Sequence, residues 1–184
     1  NTFEDVLDAI DSKNMSITSP IVDTKFEMGD CEFTVISSKI DNDELNNSSI
    51  VLRLDFGNTS YLFTGDMEQD VEETILSKNI QVDVLKVGHH GSSTSTSSEF
   101  LDKVNPEYAI ICVGEGNSYG HPHKEILDRL NKKGIQIYRT DILGTIVVTS
   151  DGEEIKISSV KTNTDGNAKI SNTKEQDKVS NNSS

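Results

Sequence analysis

The sequence contains no tryptophan, 3 prolines and 2 cysteines in 184 residues, and aromatic residues make up 5% of it. So little proline, with 12 glycines, excludes a collagen-like or proline-rich chain. Cys31 and Cys112 are too few for a disulfide framework and lack C-x-x-C spacing, so both read as small core hydrophobes. No apolar run approaches the roughly 20 residues of a membrane-spanning helix, and no basic-flanked apolar segment opens the chain as a signal peptide would. The chain as given therefore reads as soluble. Basic residues number 17 against 31 acidic ones, a formal charge of −14, which excludes an extended nucleic-acid-binding face. There is no G-x-S-x-G, so a serine nucleophile elbow has no support. Residues 1–88 contain no histidine.

What remains, 33% hydrophobic and 26% charged residues, suits one globular domain with a polar appendage. Phe3, Val6, Leu7 and Ile10 fall at i, i+3, i+4 and i+7 behind Thr2, which predicts an amphipathic helix to about Lys13 with a face that needs a neighbour. The period then changes to two. Phe26 and Met28, the Gly29-Asp30 turn, and Cys31, Phe33 and Val35 predict one hairpin; Ile50 to Phe56, Gly57-Asn58 and Tyr61 to Thr64 predict a second. Asp41 to Ser49 between them reads as a loop.

Strand and helix alternate afterwards: a helix over Met67 to Lys78, a strand from Val82 to Val87, a loop from Gly88 to Ser98, a short helix ending near Val104, and a buried strand from Tyr108 to Val113. A loop from Gly114 to His121 leads to a helix opened by Pro122, with Gly134 beyond its end. Strands over Gln136 to Arg139, Gly144 to Ser150 and Glu153 to Ile157 close the ordered part. The class is mixed α/β. Residues 158–184 carry too few apolar side chains to offset the cost of ordering them and read as a disordered tail or linker.

All four histidines, His89, His90, His121 and His123, lie within 35 consecutive residues, each in a loop or helix start after a buried strand. His89-His90 is flanked by Gly88 and Gly91, which permit unusual backbone angles and close approach of a ligand, and a neutral imidazole at a strand end suits a borderline metal. The two imidazoles are expected to diverge and not to share an ion. Asp66 follows the buried strand Tyr61-Leu62-Phe63 through Thr64-Gly65 and faces the same edge as His90 if the two strands are parallel neighbours; it equally suits an N-cap for the Met67 helix.

Thr64-Gly65-Asp66, Leu85-Lys86-Val87-Gly88-His89-His90-Gly91-Ser92, Asn117-Ser118-Tyr119-Gly120-His121-Pro122 and Tyr138-Arg139-Thr140-Asp141, in this order, resemble the metallo-β-lactamase-fold hydrolases, and among them the hydrolase domain of the bacterial competence DNA-uptake channel. The resemblance covers residues 1–157 and implies an αββα sandwich, of which this chain would be the C-terminal half to two-thirds. It also implies two divalent metal ions, usually zinc and sometimes manganese or iron. On that pattern Asp66 would bridge the metals, His90 would be a terminal ligand with His89 as the alternative, and His121 would orient substrate or leaving group. Lys86 and Arg139 are candidate anion contacts, although a snorkelling lysine and a surface arginine fit them better.

One departure stands out. The H-x-[HDE]-x-D-H segment that supplies most ligands in that family is absent, and even a catalytic zinc normally takes three protein ligands. Two readings follow. In one, the chain is part of a metal-dependent hydrolase of a phosphodiester such as DNA, or of another ester. It would be extracellular or cell-surface, reaching a membrane only through a further segment, and would pair with the missing N-terminal half of its domain. In the other it is a catalytically inert α/β binding or interaction module that keeps the hydrolase fold. The first reading expects an uncovered apolar patch on this chain.

Overall fold

The computed structural model describes residues 2–38, 44–162 and 168–172. Helix α1 (Thr2–Ser12) comes first, where the 3.6-residue periodicity places it. Strands β1 (Lys25–Met28) and β2 (Cys31–Ser37) form the first hairpin, with Phe26 opposite Phe33 and their rings stacked. Strands β3 (Val51–Phe56) and β4 (Thr59–Phe63) form the second, around the Gly57-Asn58 turn. The intervening loop holds a 3-10 turn at Leu45–Ser48, and its residues 39–43 lie outside the described ones.

From β4 onward the pairing changes from antiparallel to parallel. Strands β5 (Val84–Lys86), β6 (Tyr108–Ile111) and β7 (Gln136–Arg139) each lie parallel to the strand before, completing a seven-stranded sheet in the order β1 to β7. Parallel neighbours need crossovers, which α2 (Gln69–Ile75), α3 (Ser98–Val104) and α4 (Lys124–Lys132) provide. All three pack on one face, where Val71, Ile75, Phe100, Leu101, Ile126 and Leu130 close over Leu62, Leu85, Ala109 and Ile111.

The opposite face is also covered. Strands β8 (Thr145–Ser150), β9 (Ile155–Thr162) and β10 (Ala168–Asn172) form a three-stranded antiparallel sheet. Ile146, Val148, Ile155 and Ile157 from it meet Tyr61, Val84, Ile110 and Tyr138 of the large sheet. Burial on both faces explains why the central strands read as nearly continuous apolar runs. The described residues thus form three layers, helix, sheet and sheet, a large part of the αββα arrangement.

The two sheets also touch at their turns. Asn58 N donates to Gly152 O at 2.6 Å, and a Cβ on Gly57 would lie 2.4 Å from that oxygen. Gly57 is therefore required by the approach of another backbone as well as by its φ of +56°.

Several boundaries differ from the sequence reading. The Met67 helix begins only at Gln69, because Met67 N turns back to Thr64 O and its side chain is buried under the sheet. A one-turn helix, α5 (Thr140–Leu143), separates β7 from β8. Helix α4 begins at Lys124, with His123 at its cap position and Pro122 before it. The tail expected from residue 158 starts instead as strand: Ser158, Ser159 and Val160 pair with Val147, Ile146 and Thr145, and β9 pairs with β10. Backbone pairing carries a segment whose residues gave no apolar pattern. Residues 173–184 lie outside the described ones.

Helix α1 buries none of its residues, and Phe3 is 70% exposed. Val6, Met15, Ile17, Ile21, Phe26 and Met28 are exposed as well. No helix among the described residues is long and apolar enough to cross a membrane.

Glu72, on α2, is 1% exposed, and its carboxylate accepts the backbone N–H of Thr96 and, at 2.8 Å, that of Ser97. It thereby ties α2 to the turn that caps α3, where Ser97 Oγ accepts from Phe100 N at 3.1 Å. Burial pushes the Glu72 carboxyl above its ordinary 4.5, against the opposing pull of those hydrogen bonds and of Arg129. Replacing Glu72 by Ala strands two buried N–H groups and should cost about 2–4 kcal/mol in urea unfolding. A carboxyl whose pKa is higher folded than unfolded contributes most below its unfolded value and loses that contribution as pH rises through the folded one. The stability of the wild type relative to Glu72→Gln should accordingly fall as pH is raised from 4.5, read as the difference between paired thermal melts.

Candidate metal centre

The parallel run of β4 to β7 ends at one edge of the large sheet, and the turns leaving those strands carry the chemistry. Asp66 leaves β4 through Gly65, whose φ is +56° and whose missing Cβ leaves room for Ser49; a Cβ there would lie 2.8 Å from Ser49 Oγ. That hydroxyl in turn accepts from Asp66 N at 2.9 Å. Lys86, at the end of β5, donates to Gly65 O at 2.7 Å and lies 3.9 Å from Asp66 Oδ1. Burial is the main cause that lowers its pKa, with Asp66 acting the other way. Lys86 thus braces the Asp66 turn.

His89 and His90 follow β5 in a tight turn in which both have left-handed backbone angles, φ +44° and +55°. Such angles are costly for residues with a Cβ, and their occurrence in two successive histidines marks a strained loop held by its surroundings. The holding contacts are visible: His89 N donates to Gly65 O, Ser92 N to His89 O, and His123 N to Gly91 O. Gly91, at φ +80°, lies so close to Pro122 that a Cβ would come within 2.6 Å of the proline Cβ.

The two imidazoles diverge as expected, from a left-handed backbone. Their ring centroids are 6.3 Å apart and inclined at 65°. His90 Nδ1 donates to Cys112 O at 2.5 Å, which leaves Nε2 with its lone pair, 3.5 Å from Asp66 Oδ1. A carboxylate oxygen and an imidazole nitrogen facing one another is a donor set suited to a divalent cation. His89 Nδ1 instead lies 3.1 Å from Glu68 Oε1 and 3.3 Å from Thr94 Oγ1.

Asp66 does not cap the following helix, whose cap position is Glu68 with no side-chain cap bond. Glu68 is a site residue that sequence reasoning missed: its Oε1 accepts from Thr94 Oγ1 at 2.9 Å and from Asn46 Nδ2 at 3.3 Å, beside His89. Thr140 is another, accepting Val113 N and donating to Val113 O, both at 2.8 Å, so that the strand end carrying the Cys112 carbonyl is pinned to β7.

His121 stands between His89 and His123, at ring separations of 5.6 and 4.8 Å. Burial first, then the neighbouring imidazoles, hold it below the ordinary histidine range. His123 Nδ1 accepts from Ser93 N at 2.9 Å, so this ring supports the loop. Arg139 is half-buried and held bidentately by Asp141, at 3.0 and 2.6 Å. Among the described residues no group of three or more His, Cys, Asp or Glu is arranged to hold a metal ion. The pair Asp66 and His90 fits part of a ligand set and would need further donors.

This fold, with acid and imidazole on turns leaving parallel strands at one sheet edge, is that of a metallo-β-lactamase-type domain. The metallo-beta-lactamase superfamily pattern matches residues 9–115, and the chain belongs to that superfamily. Among its relatives, it is 40% identical over 146 residues to ComE operon protein 3 of Bacillus subtilis (strain 168), a match covering 78% of this chain and 19% of that protein. It is 40% identical over 120 residues to competence protein ComA of Neisseria gonorrhoeae, covering 64% and 17%. Recombination protein 2 of Haemophilus influenzae is 36% identical over 117 residues, covering 64% and 15%. The chain spans about a fifth of the length of these relatives or less.

Gly91→Ala adds a side chain where the backbone is left-handed and Pro122 is in the way. It should destabilise the protein by about 2 kcal/mol or more, measured as a lower urea midpoint at unchanged slope.

Proposed function

We propose that this chain is part of a metal-dependent hydrolase that cleaves a phosphodiester, DNA among the candidates, or another ester. The observation carrying this reading is the opposition of Asp66 Oδ1 and His90 Nε2 at 3.5 Å, with the imidazole tautomer fixed by the Cys112 carbonyl. In that role Asp66 and His90 are metal ligands, His90 in preference to His89, whose Nδ1 is engaged with Glu68 and Thr94. A divalent cation there, zinc first and manganese or iron as alternatives, would supply Lewis-acid polarisation of the scissile ester and acidify a water.

The chain's own residues do the rest. Ser49, Lys86 and Thr140 hold the two turns in place, and His121, near-neutral by its surroundings, orients substrate or leaving group as a hydrogen-bonding imidazole. The further ligands that this reading requires would come from protein outside the given residues, and Phe3 and Val6 of α1 with Phe26 and Met28 of β1 are exposed apolar side chains such protein could cover. The name of one relative, a competence protein, is in keeping with a DNA-related substrate, and an extracellular or cell-surface setting, with any membrane contact through a further segment, belongs to the same proposal.

A second reading, an inert module that retains the fold, is favoured by the absence of a three-donor group among the described residues. Equilibrium dialysis against zinc and manganese, carried out on a longer protein that supplies the further donors, separates the two. The hydrolase reading expects metal retention that falls at least tenfold in Asp66→Ala and in His90→Ala and stays within twofold in His89→Ala, in protein whose circular dichroism is unchanged. No retention, or retention indifferent to Asp66 and His90, would favour the inert module.

A further inference from the structure

Tyr119 is the feature that the proposed chemistry leaves unexplained. It is 77% exposed, yet the loop that carries it is firmly built. Asn117 Oδ1 accepts from His121 N at 3.0 Å, Asn117 Nδ2 donates to His121 O at 2.7 Å and to Gly114 O at 3.2 Å, and Asn117 N reaches Gly114 O at 3.3 Å. One side chain thus clamps both ends of the loop, as a ladder pair would. At its tip the Tyr119 ring lies on His121, with centroids 5.7 Å apart and planes 20° from parallel. Successive ring contacts of 5.6 Å to His89 and 6.3 Å onward to His90 then lead to the Asp66 edge. A braced loop that holds an aromatic ring in water, backed by a second ring and beside a candidate reaction centre, is a surface prepared for a planar group.

We infer that Tyr119, backed by His121, is a stacking platform for an unpaired base of a single-stranded nucleic acid whose backbone runs past the Asp66 and His90 edge. This deepens the hydrolase reading and rests on it for the identity of the edge. Charge favours stacking as the means of grip. With a formal charge of −14 the chain has little with which to hold a phosphate backbone, so the grip rests on the base, and stacking accepts any base because every base has a π-face. Inside a duplex both faces of each base are covered by its neighbours, so apart from its end pairs a duplex offers the platform nothing to stack on.

The absence of tryptophan provides the test. Tyr119→Trp places a single indole at the tip of the loop, and its emission is followed in metal-free buffer during titration with an oligothymidylate, an abasic oligomer of equal length and charge, and a duplex. The oligothymidylate should quench the indole saturably, while the abasic oligomer and the duplex leave it unchanged. In the otherwise native protein, anisotropy of a labelled oligothymidylate should show binding about five- to a hundredfold weaker for Tyr119→Ala and within twofold of wild type for Tyr119→Phe. Because the ring is exposed, thermal melts of these variants should coincide with wild type. Equal quenching by the abasic oligomer or the duplex, or unaltered affinity in Tyr119→Ala, would overturn the platform. Neither readout needs metal or turnover, so the platform can fail while Asp66 and His90 still bind metal, and can hold when they do not.

Discussion

The parallel register of β4, β5, β6 and β7 is the constraint on which the site depends. Each strand ends at the same edge of the sheet, so the turns that follow are delivered together. The cost is that four consecutive exits crowd one another. The backbone answers with left-handed residues at Gly65, His89, His90 and Gly91 and with hydrogen bonds between turns: His89 N to Gly65 O, His123 N to Gly91 O, Lys86 Nζ to Gly65 O. A loop on its own could not hold two adjacent histidines at positive φ; a sheet edge with buried strands behind it can.

Burial on both faces is what makes that edge rigid. Helices α2, α3 and α4 close one side and β8 and β9 the other, so Leu85 and Ala109 look into one core while Val84 and Ile110 look into the second. The polar interior obeys the same economy. Glu72 is buried, but it satisfies the N–H groups of Thr96 and Ser97, so the turn between the histidine loop and α3 is anchored from beneath. The exposed side of α1 contrasts with this, since nothing among its residues is buried.

Much of this was legible in the residues. Period-two alternation with Gly57-Asn58 located β3 and β4, and the apolar runs located β5 and β6 because strands covered on both faces have no polar side. The parallel neighbourhood of β4 and β5, which brings Asp66 to His90, was legible only as a condition, because pairing partners are chosen by the whole sheet. The role of the Cys112 carbonyl was invisible, since a backbone oxygen leaves no mark on the sequence. Glu68 and Thr140 act through contacts 22 to 27 residues away in the chain, beyond any local pattern. The strand after Ser158 was missed for a related reason: pairing with β8 is settled by backbone, and its serines and threonine gave no apolar signal.

The meeting of Gly57 with Gly152 has a bearing on how the chain tolerates change. Surface hairpin turns are ordinarily where insertions, tags and new termini are accepted, because nothing packs against them. Here each of two turns, almost a hundred residues apart, is the seat of the other, with Asn58 N bonded to Gly152 O and Asn58 Nδ2 to Glu153. A residue added to either hairpin would therefore separate the two sheets at the end remote from the histidines, and length variation among chains of this kind should be sought elsewhere, in connections such as the one from β2 to β3.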